Sequence, residues 1–334
     1  MKRTFVFTFL FFSMCAAVYA HEQWLLPANE MERLANLAKP SLFRAWGLFN
    51  STVSLLALGF LLAWIVFNYR QTIKIPIPIN RLEWGLLALR IWTGMMLIAC
   101  SLGFLPKTGV AYFTEPTLFA SDLALVPPWL FLQWYELALG ILLILGFYVR
   151  LLGVLLLALV FSALYLYGTS MLQYAGFYSG LALFLLINGG GKFSYGLQQQ
   201  KNTAYGKSYI LLQTLTGLNF IYAAVSVKLL NPNLDIAILS YKNAFTFGIP
   251  YPEFVFLMLV VEIIFGLLFI LGWHLRWLSL ALLSLFVFLS FNLGENIFAH
   301  SFIYGILSVF IISGSYPISY LARLYGDNSR KSQT

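Results

Sequence analysis

Long apolar segments alternate with short polar or basic segments along most of this chain. Nine apolar segments after the N-terminal region are each close to the ~20 residues that a helix needs to cross a bilayer, although the fifth is short. The pattern predicts an all-α, polytopic membrane protein. The predicted spans lie near 46–67, 83–105, 129–147, 149–168, 173–188, 208–230, 252–272, 274–292 and 298–314.

The composition agrees with this pattern and excludes a soluble protein. Of the 334 residues, 60% are hydrophobic and only 10% are charged, whereas a soluble domain has about 25% charged residues. The net charge of +8 is not accompanied by any nucleic-acid-binding motif. The basic residues collect instead in loops that we predict to be cytoplasmic. We therefore expect the lipid bilayer, and no nucleic acid, as a partner.

The N-terminal residues have the features of a secretory signal peptide. Lys2 and Arg3 precede an apolar core, and Val18-Tyr19-Ala20 forms a small-residue cleavage site. An uncleaved anchor helix is the alternative, and both interpretations place His21 outside the cytoplasm. The distribution of Lys and Arg then predicts a bacterial-type inner-membrane protein with a periplasmic mature N-terminus and a cytoplasmic C-terminus.

One spacing of residues occurs twice within the apolar segments. The pattern E-x3-G-x5-G-x3-R occupies 136–150 and again 262–276. An even number of spans separates the copies, so both have the same orientation. This predicts a tandem repeat of two four-helix units after one extra N-terminal span. The predicted division is a signal peptide (1–20), an N-terminal segment with the first span (21–82), the first unit with its linker (83–207), the second unit (208–316) and a cytoplasmic tail (317–334).

The repeated glutamates, Glu136 and Glu262, are the main candidate functional residues because a carboxylate is costly inside a bilayer. At 1.5 Å per residue, each lies roughly 10–15 Å into its span. Lys228 is a natural partner for Glu262, and Arg90 for Glu136. Each glutamate therefore either joins two helices through a buried ion pair, or carries a proton or binds a polar head group.

Two more polar positions suggest sites near the outer surface. Glu295 and His300 lie at the predicted outer mouth of the last span, and with Lys228 and Glu262 they predict a polar site in the second unit. The alternative is that His300 only caps or bridges helices. His21, as the mature N-terminus, would bind copper through its amine and imidazole, unless it is simply a solvated terminus.

Three stretches resemble the DoxX/DoxD-like family of integral membrane proteins. They are the repeat copy at 136–150, the run Gly-Gly-Gly-Lys-Phe-Ser at 189–194, and 217–228, which ends in Lys228. The resemblance covers about 83–196 and 208–314 and implies a four-helix unit that occurs twice. The second unit departs from the family pattern because it ends Ser-Gly-Ser-Tyr at 313–316, without the lysine.

Some members of that family are linked to quinone-dependent oxidation of sulfur compounds or to respiratory oxidases. The resemblance therefore implies a membrane subunit linked to quinone or respiratory redox chemistry, with quinone or a redox protein as its partner. No standard catalytic motif occurs in the chain, so we expect at most a subunit of an oxidoreductase and not an autonomous enzyme. The alternatives are membrane transport of a small solute or a metal such as copper, and a non-catalytic scaffold or assembly factor.

Overall fold

The computed structural model describes residue 26 and the ranges 33–34, 37–44, 47–69, 79–104, 131–196, 204–272, 274–293 and 297–314. Within these ranges every named element is helical, and one isolated parallel bridge joins Phe147 to Tyr195. The all-α prediction is therefore confirmed. The predicted signal peptide, His21, Glu295 and the predicted tail lie outside the described residues.

Besides a one-turn helix at Ser41–Arg44 and a 3-10 turn at Gly168–Met171, ten longer α-helices define the architecture of the described residues. They are α1 (Leu48–Tyr69), α2 (Ile79–Ser101), α3 (Phe131–Leu145), α4 (Val149–Tyr167), α5 (Leu172–Asn188), α6 (Ala204–Ala223), α7 (Pro232–Tyr241), α8 (Tyr251–Leu271), α9 (Leu275–Leu293) and α10 (Ser301–Ser313). A π-helix at Ala224–Leu229 continues α6, and a 3-10 turn at Ile297–His300 precedes α10. Each predicted span corresponds to one of these helices, and α7 is the helix that the apolar pattern does not predict.

Several helices are suited to a bilayer by length and composition. Four segments are long and apolar enough to cross a membrane: Ile79–Ser101, Gly206–Leu229, Tyr251–Leu271 and Leu275–Asn292. Shorter apolar stretches of 10–17 residues lie in α1, α3, α4, α5 and α10. The chain is thus a helical membrane protein, as the hydrophobic pattern predicts.

Two helix pairs cross at paired glycines. In the contact between α2 and α3, a Cβ atom added to Gly94 would lie 2.6 Å from the carbonyl oxygen of Gly140. In the contact between α6 and α8, a Cβ atom added to Gly266 would lie 2.6 Å from the carbonyl oxygen of Gly217. Small residues let two membrane helices approach to backbone contact. Gly140 and Gly266, which belong to the two copies of the repeated spacing, therefore allow close helix approach.

The remaining contacts connect these pairs into one bundle. α4 packs against α5, and α9 packs against α10. α5 also packs against α6, while α10 packs against α2 and α1 packs against α8. Aromatic residues fill the centre, where Tyr178 stacks on Phe302 with ring centroids 4.5 Å apart and Phe177 contacts the edge of Phe220 at 5.1 Å. The described helices thus share a packed aromatic core.

The turns from α3 to α4 and from α8 to α9 have the same backbone geometry. Gly146 and Gly272 adopt left-handed conformations with φ of 77° and 72°. Two residues later, Tyr148 and His274 are also left-handed, with φ of 45° and 50°. The left-handed region is open to glycine at little steric cost and ends many helices. Gly146 and Gly272 therefore each follow the last residue of a helix and turn the chain into the next one.

We expect Gly94→Ala and Gly217→Ala to destabilise the protein. Each added methyl group would clash with a backbone carbonyl, which cannot move aside as a flexible side chain can. Overpacking of this kind costs about 1–3 kcal/mol. Thermal unfolding of the purified protein in detergent measures the effect. Gly59→Ala is the matched control, since Gly59 lies in α1 with nothing within 4 Å of an added Cβ atom. Equal melting temperatures for all three variants would contradict the close helix contacts.

Candidate functional site

One basic and two acidic side chains meet in the protein interior. The Nζ atom of Lys228 lies 2.9 Å from Oε1 of Glu262 and 3.6 Å from Oδ2 of Asp235. All three side chains are at most 2% exposed. We call Lys228, Asp235 and Glu262 the buried triad. The predicted partnership of Lys228 with Glu262 is present in it.

Three different elements bring the triad together. Glu262 lies near the middle of α8, about 16 Å along the helix from Tyr251. Lys228 lies on the π-helix that ends α6, where the N–H of Leu230 donates to the carbonyl of Val225 at 3.0 Å. Single π-helical turns are rare and occur frequently at functional sites. The irregular end of α6 therefore places Lys228 over the carboxylate of α8.

Asp235 belongs to the first turn of α7, the short helix that folds back against α8 and the π-helix. Sequence analysis missed this residue because the region between the sixth and seventh spans has no long apolar segment. One signal was available, since Pro232 occupies the start of α7, where proline is favoured. A proline-initiated helix with an acid in its first turn, directly after Lys228, is the pattern that points to Asp235.

The chain before α1 packs on the same elements. The side-chain amide of Asn233 in α7 donates to the carbonyl of Leu37 at 2.8 Å. The ring of Phe43 contacts the edge of Phe256 in α8, with centroids 6.0 Å apart. The N-terminal segment and α1 therefore help to hold α7 and α8 in the positions that the triad requires.

The buried triad has an excess of negative charge. It contains two carboxylates and one ammonium group, so that one negative charge is left over when all three are ionised. Burial of an uncompensated charge is strongly unfavourable. The ammonium group of Lys228 balances one carboxylate, and the charge of the second carboxylate is left without compensation. Uptake of one proton removes the excess charge. The triad is therefore chemically suited to bind and release a proton inside the membrane domain.

The predicted pairing of Arg90 with Glu136 is wrong. The Nη2 atom of Arg90 donates instead to the carbonyl oxygens of Lys192 at 2.7 Å and Phe193 at 3.0 Å. Glu136 lies near Cys100, close enough for an electrostatic interaction, and Cys100 is about 15 Å further along α2 than Arg90. Arg90 therefore lies too far along the helix to reach Glu136 and binds the carbonyls of the segment 191–196 instead.

Glu136 is completely buried, and no described residue donates a hydrogen bond to its carboxylate. It thus differs from Glu262, whose carboxylate contacts Lys228. The two repeated glutamates have the same spacing in the sequence, but their surroundings are different.

His300 lies apart from the buried triad, on helices that do not contribute to it. It is 1% exposed, and its ring centroid is 5.5 Å from that of Phe286 in α9. The 3-10 turn that holds His300 packs mainly against α2, α9 and α10, and none of these helices contributes to the triad. This position fits the alternative in which His300 bridges helices.

The metal prediction concerns His21, which lies outside the described residues. Within the described ranges, no three His, Cys, Asp or Glu residues are grouped to hold a metal ion. Copper binding at His21 stays a prediction.

No protein-family model, curated protein or solved structure matches this chain.

We expect Lys228→Met to destabilise the protein by about 3–5 kcal/mol, because it leaves two carboxylates buried without their cation. Adding Asp235→Asn and Glu262→Gln to Lys228→Met should recover part of this loss, since the triple variant buries no charge. Unfolding in mixed micelles measures the free energy. Lys207→Met is the matched control, since Lys207 lies exposed on α6. A loss no larger than that of the control would contradict the triad.

We expect Arg90→Met to loosen the segment 191–196, because it removes two hydrogen bonds from a charged donor, each worth about 1.5–3 kcal/mol. Trypsin should then cut after Lys192 faster than in the wild type. Arg81→Met is the control because Arg81 is exposed on the same helix. Equal cleavage rates in both variants would show that Arg90 does not hold this segment.

Proposed function

We propose that the protein is an inner-membrane subunit linked to quinone or respiratory redox chemistry, in which the buried triad exchanges one proton. The excess carboxylate of the triad is the observation that carries this proposal. Reduction of a quinone takes up protons together with electrons, so a quinone site inside a membrane needs a group that holds a proton near it. Intramembrane carboxylates mark proton relays in many membrane proteins.

The proposal includes a tandem repeat of two DoxX-like units, at 83–207 and 208–316. The paired glycines support it, because Gly140 and Gly266 occupy the same position in the two copies of the repeated spacing and each meets a glycine of the preceding long helix. The left-handed turns after α3 and α8 support it as well. The basic loops support nine spans with a periplasmic mature N-terminus and a cytoplasmic C-terminus.

We place the reaction in the second unit because the units differ in charge. Glu262 in the second unit has Lys228 and Asp235 beside it. Glu136 in the first unit has no basic partner among the described residues. Uptake of one proton takes the triad from one excess negative charge to neutrality, while the ammonium group still balances the other carboxylate. The first unit then has a supporting role.

We expect Glu262→Gln to abolish quinone-linked electron transfer while the folded protein remains. The amide keeps the size of the side chain and cannot release a proton. Membranes with equal amounts of wild-type or variant protein are compared for reduction of decylubiquinone, with membranes lacking the protein as the background. Glu253→Gln is the control, because Glu253 lies on the same helix in its first turn. Full activity of Glu262→Gln at normal abundance would contradict the assignment of this residue.

Transport of a small solute or cation is the second candidate function. Buried glutamates in both halves of the bundle favour it, since Glu136 and Glu262 are each at most 1% exposed. Purification separates the two proposals. A quinone that co-purifies and is identified by its absorbance supports redox chemistry, whereas cation flux into liposomes containing the colourless protein supports transport.

A further inference from the structure

A pocket lies where α3 turns into α4, at the end of the bundle away from the triad. The hydroxyl of Ser208, near the start of α6, bonds the side chain of Asn188 at the end of α5. This places the start of α6 beside the pocket, which includes Gly189 and Gly190. Lys228 follows Ser208 by about 30 Å of helix. The pocket is therefore a separate site from the triad.

The pocket has a defined backbone wall. The N–H of Tyr148 donates to the carbonyl of Tyr195 at 2.9 Å, and the N–H of Tyr195 donates to the carbonyl of Gly146 at 2.8 Å. The hydroxyl of Ser194 bonds the carbonyl of Gly191 at 2.8 Å. These bonds fix the segment 191–196 against the turn before α4. The pocket between this segment and the turn therefore has an ordered backbone on both sides.

Arg150 supplies the charge of this pocket. It is the one charged residue among those that line it. Its Nε and Nη2 atoms are buried, and no described residue accepts a hydrogen bond from either atom. A buried donor on a charged group that makes no hydrogen bond is costly. The geometry thus calls for an acceptor that is not part of the described chain.

Arg276 provides an internal comparison, because it is the second residue of α9 as Arg150 is the second residue of α4. The Nε atom of Arg276 donates to the carbonyl of Ile311 at 2.8 Å, and its Nη2 atom donates to the carbonyl of Ile312 at 3.2 Å. Two equivalent arginines therefore differ. Arg276 satisfies the end of a neighbouring helix, whereas Nε and Nη2 of Arg150 have no acceptor among the described residues.

The backbone adds further donors to the same place. Val149 and Arg150 begin α4, and the first N–H groups of a helix have no acceptor within it. Among the described residues, no carbonyl outside the helix accepts from these two N–H groups. A helix start together with an arginine fork matches the oxygens of a phosphate group.

Exposed aromatic side chains surround the pocket. Phe193 is 75% exposed, Tyr195 is 78% exposed and Tyr148 is 61% exposed. Aromatic residues of membrane proteins collect at the level of the lipid headgroups. The phosphate of a phospholipid lies at this level, with its acyl chains along the outer faces of the helices.

We propose that this pocket binds a phosphate group, presented by the headgroup of an anionic phospholipid, with Arg150 as its main ligand. The guanidinium of Arg150 donates to two phosphate oxygens, and the first N–H groups of α4 face the same anion. The bound lipid fixes the turn between α3 and α4 at the membrane surface.

The test uses the full-length protein, purified in dodecyl maltoside and stripped of lipid. Native mass spectrometry follows its titration with dioleoyl phosphatidylglycerol. The wild type should bind one lipid tightly, and Arg150→Gln should weaken that binding about tenfold or more, as the loss of charged hydrogen bonds requires. Arg276→Gln should keep the wild-type affinity, and dioleoylglycerol, which lacks the phosphate, should not bind tightly.

Equal affinities of the wild type and Arg150→Gln would overturn the site. Stabilisation of the wild type by inorganic phosphate, without tight lipid binding, would overturn the lipid as the source of the phosphate. If Arg150→Gln does not fold, Arg150→Lys replaces it. A lysine keeps the charge but lacks the planar fork, so we expect several-fold weaker binding, and unchanged affinity would overturn the proposed geometry.

Discussion

The contact between Lys228 and Glu262 is the interaction on which the rest of the structure depends. Neither charge is tolerated alone in a low-dielectric interior, so each requires the other at hydrogen-bond distance. Their Nζ and Oε1 atoms are 2.9 Å apart. To bring them together, α6 and α8 must lie in backbone contact, and the paired glycines Gly217 and Gly266 make that approach feasible. A bulkier residue at either glycine would move the two charges apart.

The second consequence of this contact is the position of α7. An ion pair of one lysine and one glutamate is neutral, and the addition of Asp235 makes the group acidic. The fold places Asp235 there by turning α6 into a π-helix and starting α7 at Pro232. A purely structural ion pair has no need of the second acid. An excess buried carboxylate is instead what a proton-exchanging site requires, and it connects the fold to the proposed redox function.

The positions of the long helices were predictable because their length and apolar composition are set by the bilayer. The pairing of Lys228 with Glu262 was predictable as well, because few charges lie inside the spans and these two have opposite signs. Asp235 was not predictable from span patterns, since α7 is a short helix in a connecting segment. The partner of Arg90 was not predictable from the spans. Its guanidinium binds carbonyls of the segment 191–196, and no pattern in the sequence shows that this segment folds against α2. Arg150 and Arg276 are equivalent in the repeated spacing, and only the contacts of their nitrogens in the folded chain distinguish them.

The central claim is that the buried triad changes its protonation when a quinone is reduced. Infrared difference spectroscopy of the purified protein tests this directly, by comparing spectra with oxidised and reduced decylubiquinone. The account predicts a carboxyl signal that changes on reduction in the wild type and shifts or disappears when Asp235 or Glu262 is replaced by its amide. A spectrum without any carboxyl change on reduction, from protein that binds the quinone, would contradict the account.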